Sequence, residues 1–495
     1  MSHQDTDGLT ASVPNHQALK QALDWLLASA CLSNVAFRQD CSWTPTGLII
    51  AAILWVWSDE KTLSDRFLLA RKVVMAMAIL TRVPATSYQA FLKMLKNWTV
   101  TLATALAVAF RHRMQTDLAD RFKVFGFQVF GVDGSRLELP RTKSNEARFS
   151  PAKARRRSKS KPRSQHRRGS QHRRGSQRRH RSQRGPGRPR PRAVQARRAR
   201  EKKSNNPQMW LTTMFHVGTE LPWDWRSGPS DSSERDHLLE MINALPPGAL
   251  VTADAGFVGY EYWKALIASG RHLLIRVGAN VRLLKNLGYV KEKNGLVYLW
   301  PDRQAARNQP PLVLRLVVAQ GGKHPVYLVT SVLDEAVLWD QQVVAIYVLR
   351  WRVELFYRRF KQTFERRKLR SDSGDNAELE ATWSLLGLWA MSLHTQVELA
   401  GEDIPPRRIS VAKMLRAYRT PLRQYKSAPD PGESFRELVS RAVIDSYQRA
   451  KKNSRDYPRK KHGHAIGAPQ ILNATQDQIN IAQRLRDQSS LGLTA

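Results

Sequence analysis

A tyrosine, an arginine, a glutamate and a lysine stand at offsets of 0, 3, 7 and 14 in the segment running from Tyr347 through Arg350 and Glu354 to Lys361. At 100° per residue an α-helix gathers four such side chains within roughly 60° of arc. One carboxylate then shares a helix face with three groups suited to phosphate oxygens, the guanidinium in bidentate fashion. Two more acids come directly after short apolar runs: Asp133 after residues 124–132, and Asp254 after residues 249–253. Taken singly, either aspartate reads first as a turn or cap former, and Glu354 as a surface ion-pair partner. Taken together they change meaning. Clustered carboxylates stay ionised only when cations neutralise them, and Mg²⁺ prefers hard oxygen donors. Two such ions about 3.5–4 Å apart activate an attacking oxygen and stabilise a leaving one in an in-line phosphoryl displacement. The chemistry this points to is metal-dependent work on a nucleic-acid backbone.

The charge balance agrees. The chain of 495 residues carries 80 Lys plus Arg against 42 Asp plus Glu, a formal +38, with 14 Trp and 12 Tyr. That field favours polyanions, and nucleic acid ahead of a membrane. The two cysteines, Cys31 and Cys41, exclude a disulfide framework and a zinc site built mainly from Cys, and suggest a reducing compartment. Residues 1–15 are polar and do not read as a secretion signal. The longest apolar runs, 47–57 and 98–110, fall short of the ~20 residues a membrane span needs, so buried helices are expected there. Phosphate-loop and Ser-His-Asp alternatives find no support: no Walker-type pattern occurs, and Ser135 has no evident partners.

Several elements must bring the three acids together. Residues 1 to about 120 read as helical, with Pro84 breaking the series and Thr86 or Ser87 capping the next helix. Their basic residues Arg82, Lys93, Lys96, Arg111 and Arg113 read equally as a DNA surface or as solvated faces. A strand is expected to end at Asp133-Gly134. Strands at 209–217, 221–226, 249–253 and 272–277 alternate with helices at 234–245 and 260–269, which makes an α/β unit. Between 280 and 330 the pattern turns β-rich, with an Asn294-Gly295 hairpin expected between 289–290 and 296–299. One long helix from about Asp340 to Arg367 should carry the four-residue motif, with an apolar helix over 379–399 after it. Residues 153–203 are dense in Lys and Arg with a single acid, Glu201, and repeat the unit Ser-Gln-His-Arg-Arg-Gly from Ser164 and from Ser170. So little apolar surface implies disorder and either salt-dependent phosphate attraction or no selected role. Trp210, Trp223, Trp225 and Trp351 read first as core residues and second as stacking platforms for bases.

The pattern Y-x2-R-x3-E-x6-K, preceded by Asp133-Gly134 and Asp254-Ala255-Gly256-Phe257, resembles the DDE transposases of bacterial insertion sequences, in the branch named for its Y-R-E-K signature. The resemblance covers about 124–400. It implies an α/β catalytic core of ribonuclease H-like type with a β-rich insertion, preceded by an α-helical N-terminal domain. The implied layout is a DNA-end-binding unit at 1–120 and a core at 121–375, the latter interrupted by a disordered Arg-rich insertion at 140–207 and a β-rich insertion at 278–332. A helical region with a basic tail completes it at 376–495. By the same resemblance Asp133, Asp254 and Glu354 are the catalytic, metal-binding triad, taking two Mg²⁺ ions with Mn²⁺ as a substitute. Tyr347, Arg350 and Lys361 contact DNA near the cleaved end. The implied activity is cleavage at element ends and strand transfer to target DNA, by a homodimer synapsing two terminal inverted repeats in the cytoplasm at the nucleoid. The alternative is a non-catalytic DNA-binding protein derived from such an enzyme.

Overall fold

The segment Pro45–Trp57 is apolar on every side, and such a helix is stable only inside a core. The computed structural model describes residues 15–28, 30, 32–33, 35–80, 82, 87–151, 207–320, 324–424, 434–444 and 467–491. In it this segment is helix α2, capped by the Thr44 hydroxyl with Pro45 in its first turn. Beside it lie α3 (Leu63–Ala76) and α4 (Tyr88–Thr116), the latter capped by Ser87, and α1 (Asn15–Leu27) packs on α4. Arg111 and Arg113 of α4 are occupied inside the protein, on the Trp223 carbonyl and on Asp117 with the Trp25 carbonyl.

Strand β1 (Val129–Glu138) begins after a tight turn in which Val124 and Phe127 exchange backbone hydrogen bonds. Phe125 and Gly126 take the positive φ values (49° and 83°) that such a turn requires. The strand does not stop at Asp133-Gly134, as the turn-forming dipeptide suggests. It runs on to Glu138 because β2 (Gln208–His216) pairs with it throughout, with Asp133 opposite Thr213 and Gly134 opposite Thr212. Helix α5 (Lys143–Phe149) leaves β1, and β3 (Leu221–Gly228) adds antiparallel to β2. Helix α6 (Glu234–Met241) leads to β4 (Leu250–Ala253), which lies parallel to β1 on its other side. Helix α7 (Tyr260–Ala268) then leads to β5 (His272–Val277), parallel to β4.

The β-rich stretch beyond β5 comprises β6 (Arg282–Lys285), β7 (Leu296–Leu299), helix α8 (Asp302–Ala305), β8 (Leu312–Ala319) and β9 (Val326–Thr330). Strand β9 pairs antiparallel with β5, so this β-rich stretch continues the same sheet. Gly295 does turn the chain, at φ 79°, but residues 289–290 form no strand. β7 pairs instead with the longer β8 at four positions, and meets β6 only at Leu284 opposite Tyr298. The more apolar partner with more ladder positions wins the pairing.

The expected long helix is three pieces. Helix α9 (Asp340–Leu349) is interrupted at Arg350, α10 (Trp351–Arg358) comes next, and the turn Arg359–Thr363 widens to π geometry. The widened turn absorbs an extra residue, and Phe356, Phe360 and Phe364 stack along it at centroid spacings of 6.1 and 6.2 Å. Helix α11 (Gly374–Glu398) packs on the N-terminal helices, with the Trp57 indole donating to the Gly387 carbonyl and the Trp383 indole to the Thr99 hydroxyl. Helices α12 (Val411–Gln424) and α13 (Phe435–Ser440) join that layer. Beyond them β10 (Gln470–Asn473) pairs parallel with β6 and runs into α14 (Gln476–Leu491), so this part of the C-terminal region is built into the sheet edge. The ten strands lie in the order β10-β6-β7-β8-β9-β5-β4-β1-β2-β3. No described helix is long and apolar enough to cross a membrane. The Arg-rich repeats, Cys31, Pro84, Thr86 and the basic run around Lys451 lie outside the described residues.

Candidate active site

Two neighbouring parallel strands carry the aspartates. Pairs Val129–Leu250, Phe130–Val251 and Gly131–Thr252 set the β1–β4 register. Continued by two residues, that register brings Asp133 abreast of Asp254, at an interstrand spacing of ~5 Å. Asp254 also caps the 3₁₀ turn after β4, its Oδ1 accepting from Gly256 N–H at 2.8 Å. Asp133 Oδ1 accepts from Gly134 N–H at 2.8 Å.

Glu354 comes from α10, which lies across β1. The pin is Tyr357, one turn later: its buried hydroxyl lies 2.9 Å from the Asp133 carbonyl, 2.9 Å from the Leu211 carbonyl and 3.0 Å from the Thr213 hydroxyl. On the opposite side Glu220, buried, pairs with Arg352 at 3.4 Å and Arg359 at 3.2 Å. These two arginines therefore clamp the helix. Tyr357 is invisible as a site residue in the sequence, because a tyrosine inside a mostly apolar helix face carries no chemical signature.

The three phosphate-binding candidates reach the same region by different routes. Arg350 donates to Glu354 Oε1 at 3.2 Å, and its guanidinium lies 5.5 Å from the Tyr347 ring centroid. Lys361 donates to the Ser135 hydroxyl, two residues beyond Asp133 and hence on the same face of β1. The π turn that contains Lys361 shifts it from ideal helical phase, and its contact with Ser135 places it on β1.

The electrostatics tie these groups together. Burial pushes the Asp133 carboxyl up to about 6; the Gly134 N–H works against this, while Asp254 and Glu354 add to it and Arg350 opposes. Glu234, the first residue of α6, is pushed up to about 7 by burial, then by Asp133 and Asp254. Burial and Arg367 lower the Lys361 ammonium, with Asp133 and Glu138 pulling the other way. For Arg350 burial works downward, but Tyr347, Glu354 and Asp254 outweigh it and the net direction is up. The sum is a half-buried region of surplus negative charge. Oxygen donors of this kind are the type a hard divalent cation prefers. Among the described residues, no three His, Cys, Asp or Glu side chains converge tightly enough to form a ready-made metal cage. The carboxylates communicate through their fields.

Glu234 is likewise hidden in the sequence, where it reads as an acid favoured at a helix start. The available signal is Gly134: a Cβ there would lie 2.2 Å from Glu234 Oε1 and 2.8 Å from Trp210. The Asp133-Gly134 glycine is therefore a slot and not a turn. Beside the site, Lys361 opens onto a groove of about 720 Å³ lined also by Arg367, Lys368, Arg370 and Glu365. Among the tryptophans, Trp223 is buried, whereas Trp351 is 56% exposed and does not belong to the core as expected.

A family model described as the transposase DDE domain matches residues 128–389, more than half of the chain. A curated relative, the transposase InsG for insertion sequence element IS4 of Escherichia coli (strain K12), is 25% identical over 205 residues. That match spans 39% of this chain and 45% of the relative, less than half of the latter's length. A solved piggyBac transposase synaptic complex with hairpin DNA aligns over 90% of this chain and 89% of its own, at 11% identity and a TM-score of 0.38, a likeness too weak to carry an argument.

Proposed function

Because the chain belongs to the transposase DDE domain family, we propose that it cuts DNA at the ends of a mobile element and joins the freed 3′ ends to target DNA. Asp133, Asp254 and Glu354 are the metal-binding carboxylates in this reading, and Tyr347, Arg350 and Lys361 hold DNA, as in the Y-R-E-K branch. The mixed unit β3-β2-β1-β4-β5 supports a ribonuclease H-like core. The observation that carries the reading is geometric: the β1–β4 register sets Asp133 abreast of Asp254, and Tyr357, three residues after Glu354, is seated on the Asp133 carbonyl.

Bound Mg²⁺ would supply activation of the attacking oxygen and neutralisation of the leaving one. The chain's own residues do the rest. The β1–β4 register sets the two aspartates side by side, and Tyr357 locks the backbone of Asp133. Arg350, steadied by Glu354 and Tyr347, presents a guanidinium to the phosphate. Lys361, seated on Ser135, provides a cation beside it. The groove past Lys361 continues the positive surface along which a strand would lie. Two copies are needed to hold two element ends.

The test is nicking of a duplex bearing the element's own terminal repeats. Glu354→Ala should abolish Mg²⁺-dependent nicking while end binding stays within a few-fold of wild type. Wild-type nicking by that variant would refute the assignment. The loose spacing of the acids favours a second reading, a DNA-binding protein without catalysis. Binding of ends by wild-type protein with no nicking in Mg²⁺ or Mn²⁺ would establish it.

A further inference from the structure

We propose that Arg366 is a positioning residue for DNA binding, its buried guanidinium fixing the turn that carries Lys361 and the row of cations after it; this rests on the proposed role of Lys361 in holding DNA. A buried arginine is often no more than a structural bond, and its burial is costly unless its donors are all used. Three observations give Arg366 a more particular part.

The first is what its side chain joins. Arg366 is 2% exposed, and each of its three nitrogens donates to a different element. Nε reaches the Ser384 hydroxyl of α11 at 2.7 Å, Nη1 the Phe364 carbonyl at 2.9 Å, and Nη2 the Val56 carbonyl in the last turn of α2 at 2.7 Å. A helix end leaves its last carbonyls without donors and favours a cation there. Arg419 of α12 serves the neighbouring Trp57 carbonyl at 2.8 Å, so α2 is closed by two arginines from far along the chain. The second is the backbone around Arg366. Glu365 stands at φ 60°, a left-handed conformation that a non-glycine residue keeps only where its surroundings hold it. Arg366 N–H then donates to the Phe360 carbonyl and Arg367 N–H to the Lys361 carbonyl, each at 3.1 Å. The third is the alternation that follows. Phe364, Arg366, Leu369 and Ser371 are buried, whereas Glu365, Arg367, Lys368 and Arg370 are exposed and line the groove beside Lys361. Glu138 at the end of β1 exchanges 2.9 Å backbone bonds with Arg367 and Leu369, and the Glu380 carboxylate accepts from Arg370 and Ser371 N–H. The inward arginine is thus the anchor of a strap whose outward side chains present positive charge.

The experiment is a double-variant cycle on DNA affinity, read by fluorescence anisotropy of a labelled duplex bearing the element's terminal repeat, without divalent metal. It uses the full-length protein and crosses Lys361→Ala with Arg366→Met, after circular dichroism has confirmed folding. Lys361→Ala alone should weaken binding about tenfold, the worth of one charge-assisted contact. In the Arg366→Met background the same substitution should cost about threefold or less, because Lys361 has already lost its place. Although Arg366 is buried in the protein, Arg366→Met alone should flatten the slope of log affinity against log salt by ~0.9, as Lys361→Ala does. Arg366→Lys, which keeps the charge but not the fork of donors, should fall between. A full tenfold cost of Lys361→Ala in both backgrounds, or an unchanged salt slope in Arg366→Met, would make Arg366 a structural bond only. If Arg366→Met does not fold, Ser384→Ala takes its place, removing one of the three acceptors; it should reduce the cost of Lys361→Ala by about twofold, and an undiminished cost overturns the proposal. If Lys361→Ala binds as wild type does, Lys361 does not hold DNA, and that reading fails together with this inference.

Discussion

Replacing Tyr357 by Phe removes one oxygen from the interior and leaves the ring in place. That hydroxyl has one proton and three oxygens around it at 2.9–3.0 Å, the carbonyls of Asp133 and Leu211 and the hydroxyl of Thr213. It donates to one carbonyl and accepts from Thr213, so the substitution removes one or two neutral hydrogen bonds. Each is worth ~0.5–1.5 kcal/mol net, and the void is too small to add a large cavity cost. The expected destabilisation is therefore about 1–3 kcal/mol, read as a shift of the urea midpoint with an unchanged slope. Part of the pair Tyr357–Thr213 should be recoverable as coupling: the double variant Tyr357→Phe with Thr213→Val should cost less than the two singles added, by ~0.5 kcal/mol or more. Because the lost bond also steadies the Asp133 carbonyl, nicking should slow more than the loss of folded protein explains. A variant with wild-type midpoint and wild-type nicking would show that α10 is not fixed to β1 through this hydroxyl.

Groups elsewhere in the fold give further expectations. His216 is buried against Phe122 and Thr219, and burial pulls it down to about 3 from an ordinary 6.5, the Phe122 carbonyl opposing. Its folded value lies below its unfolded value, so its stabilising contribution is complete above about 6.5 and is lost as pH falls toward 3, where the unfolded chain takes up a proton the folded chain refuses. Thermal melts of His216→Gln between pH 7 and 4 should show a shallower decline, by up to about 1.4 kcal/mol per pH unit; an identical pH profile would contradict this. In the groove beside Lys361, Arg367→Ala with Lys368→Ala should weaken binding of unrelated duplexes as much as of the element's ends. It should also flatten the slope of log affinity against log salt by ~0.9 for each phosphate that is no longer neutralised. An unchanged slope would place the DNA elsewhere.

Local spacing carried a good part of this protein in its sequence. Ser87 as a helix cap, the strand His272–Val277, and the alternation of helix and strand between 208 and 277 are consequences of side-chain periodicity and capping, which act over a few residues. The Y-R-E-K spacing lies open in the sequence for the same reason, as residue types at short fixed distances, while the two aspartates are marked there only by the apolar runs they follow. Tertiary structure decided what depends on partners far along the chain. Asp133-Gly134 has a turn's composition, but β2 pairs with it and makes it strand. The β-rich stretch is legible as strands, but its joining to the main sheet depends on β5 offering β9 an open edge. The motif helix has an unbroken pattern, but seating Tyr357 on β1 and stacking three phenylalanines go with its widened turn. Glu234 and Tyr357 have no local signature at all. They matter through a missing Cβ and a carbonyl a hundred or more residues away, and contacts of that kind come into being only when the chain has closed on itself.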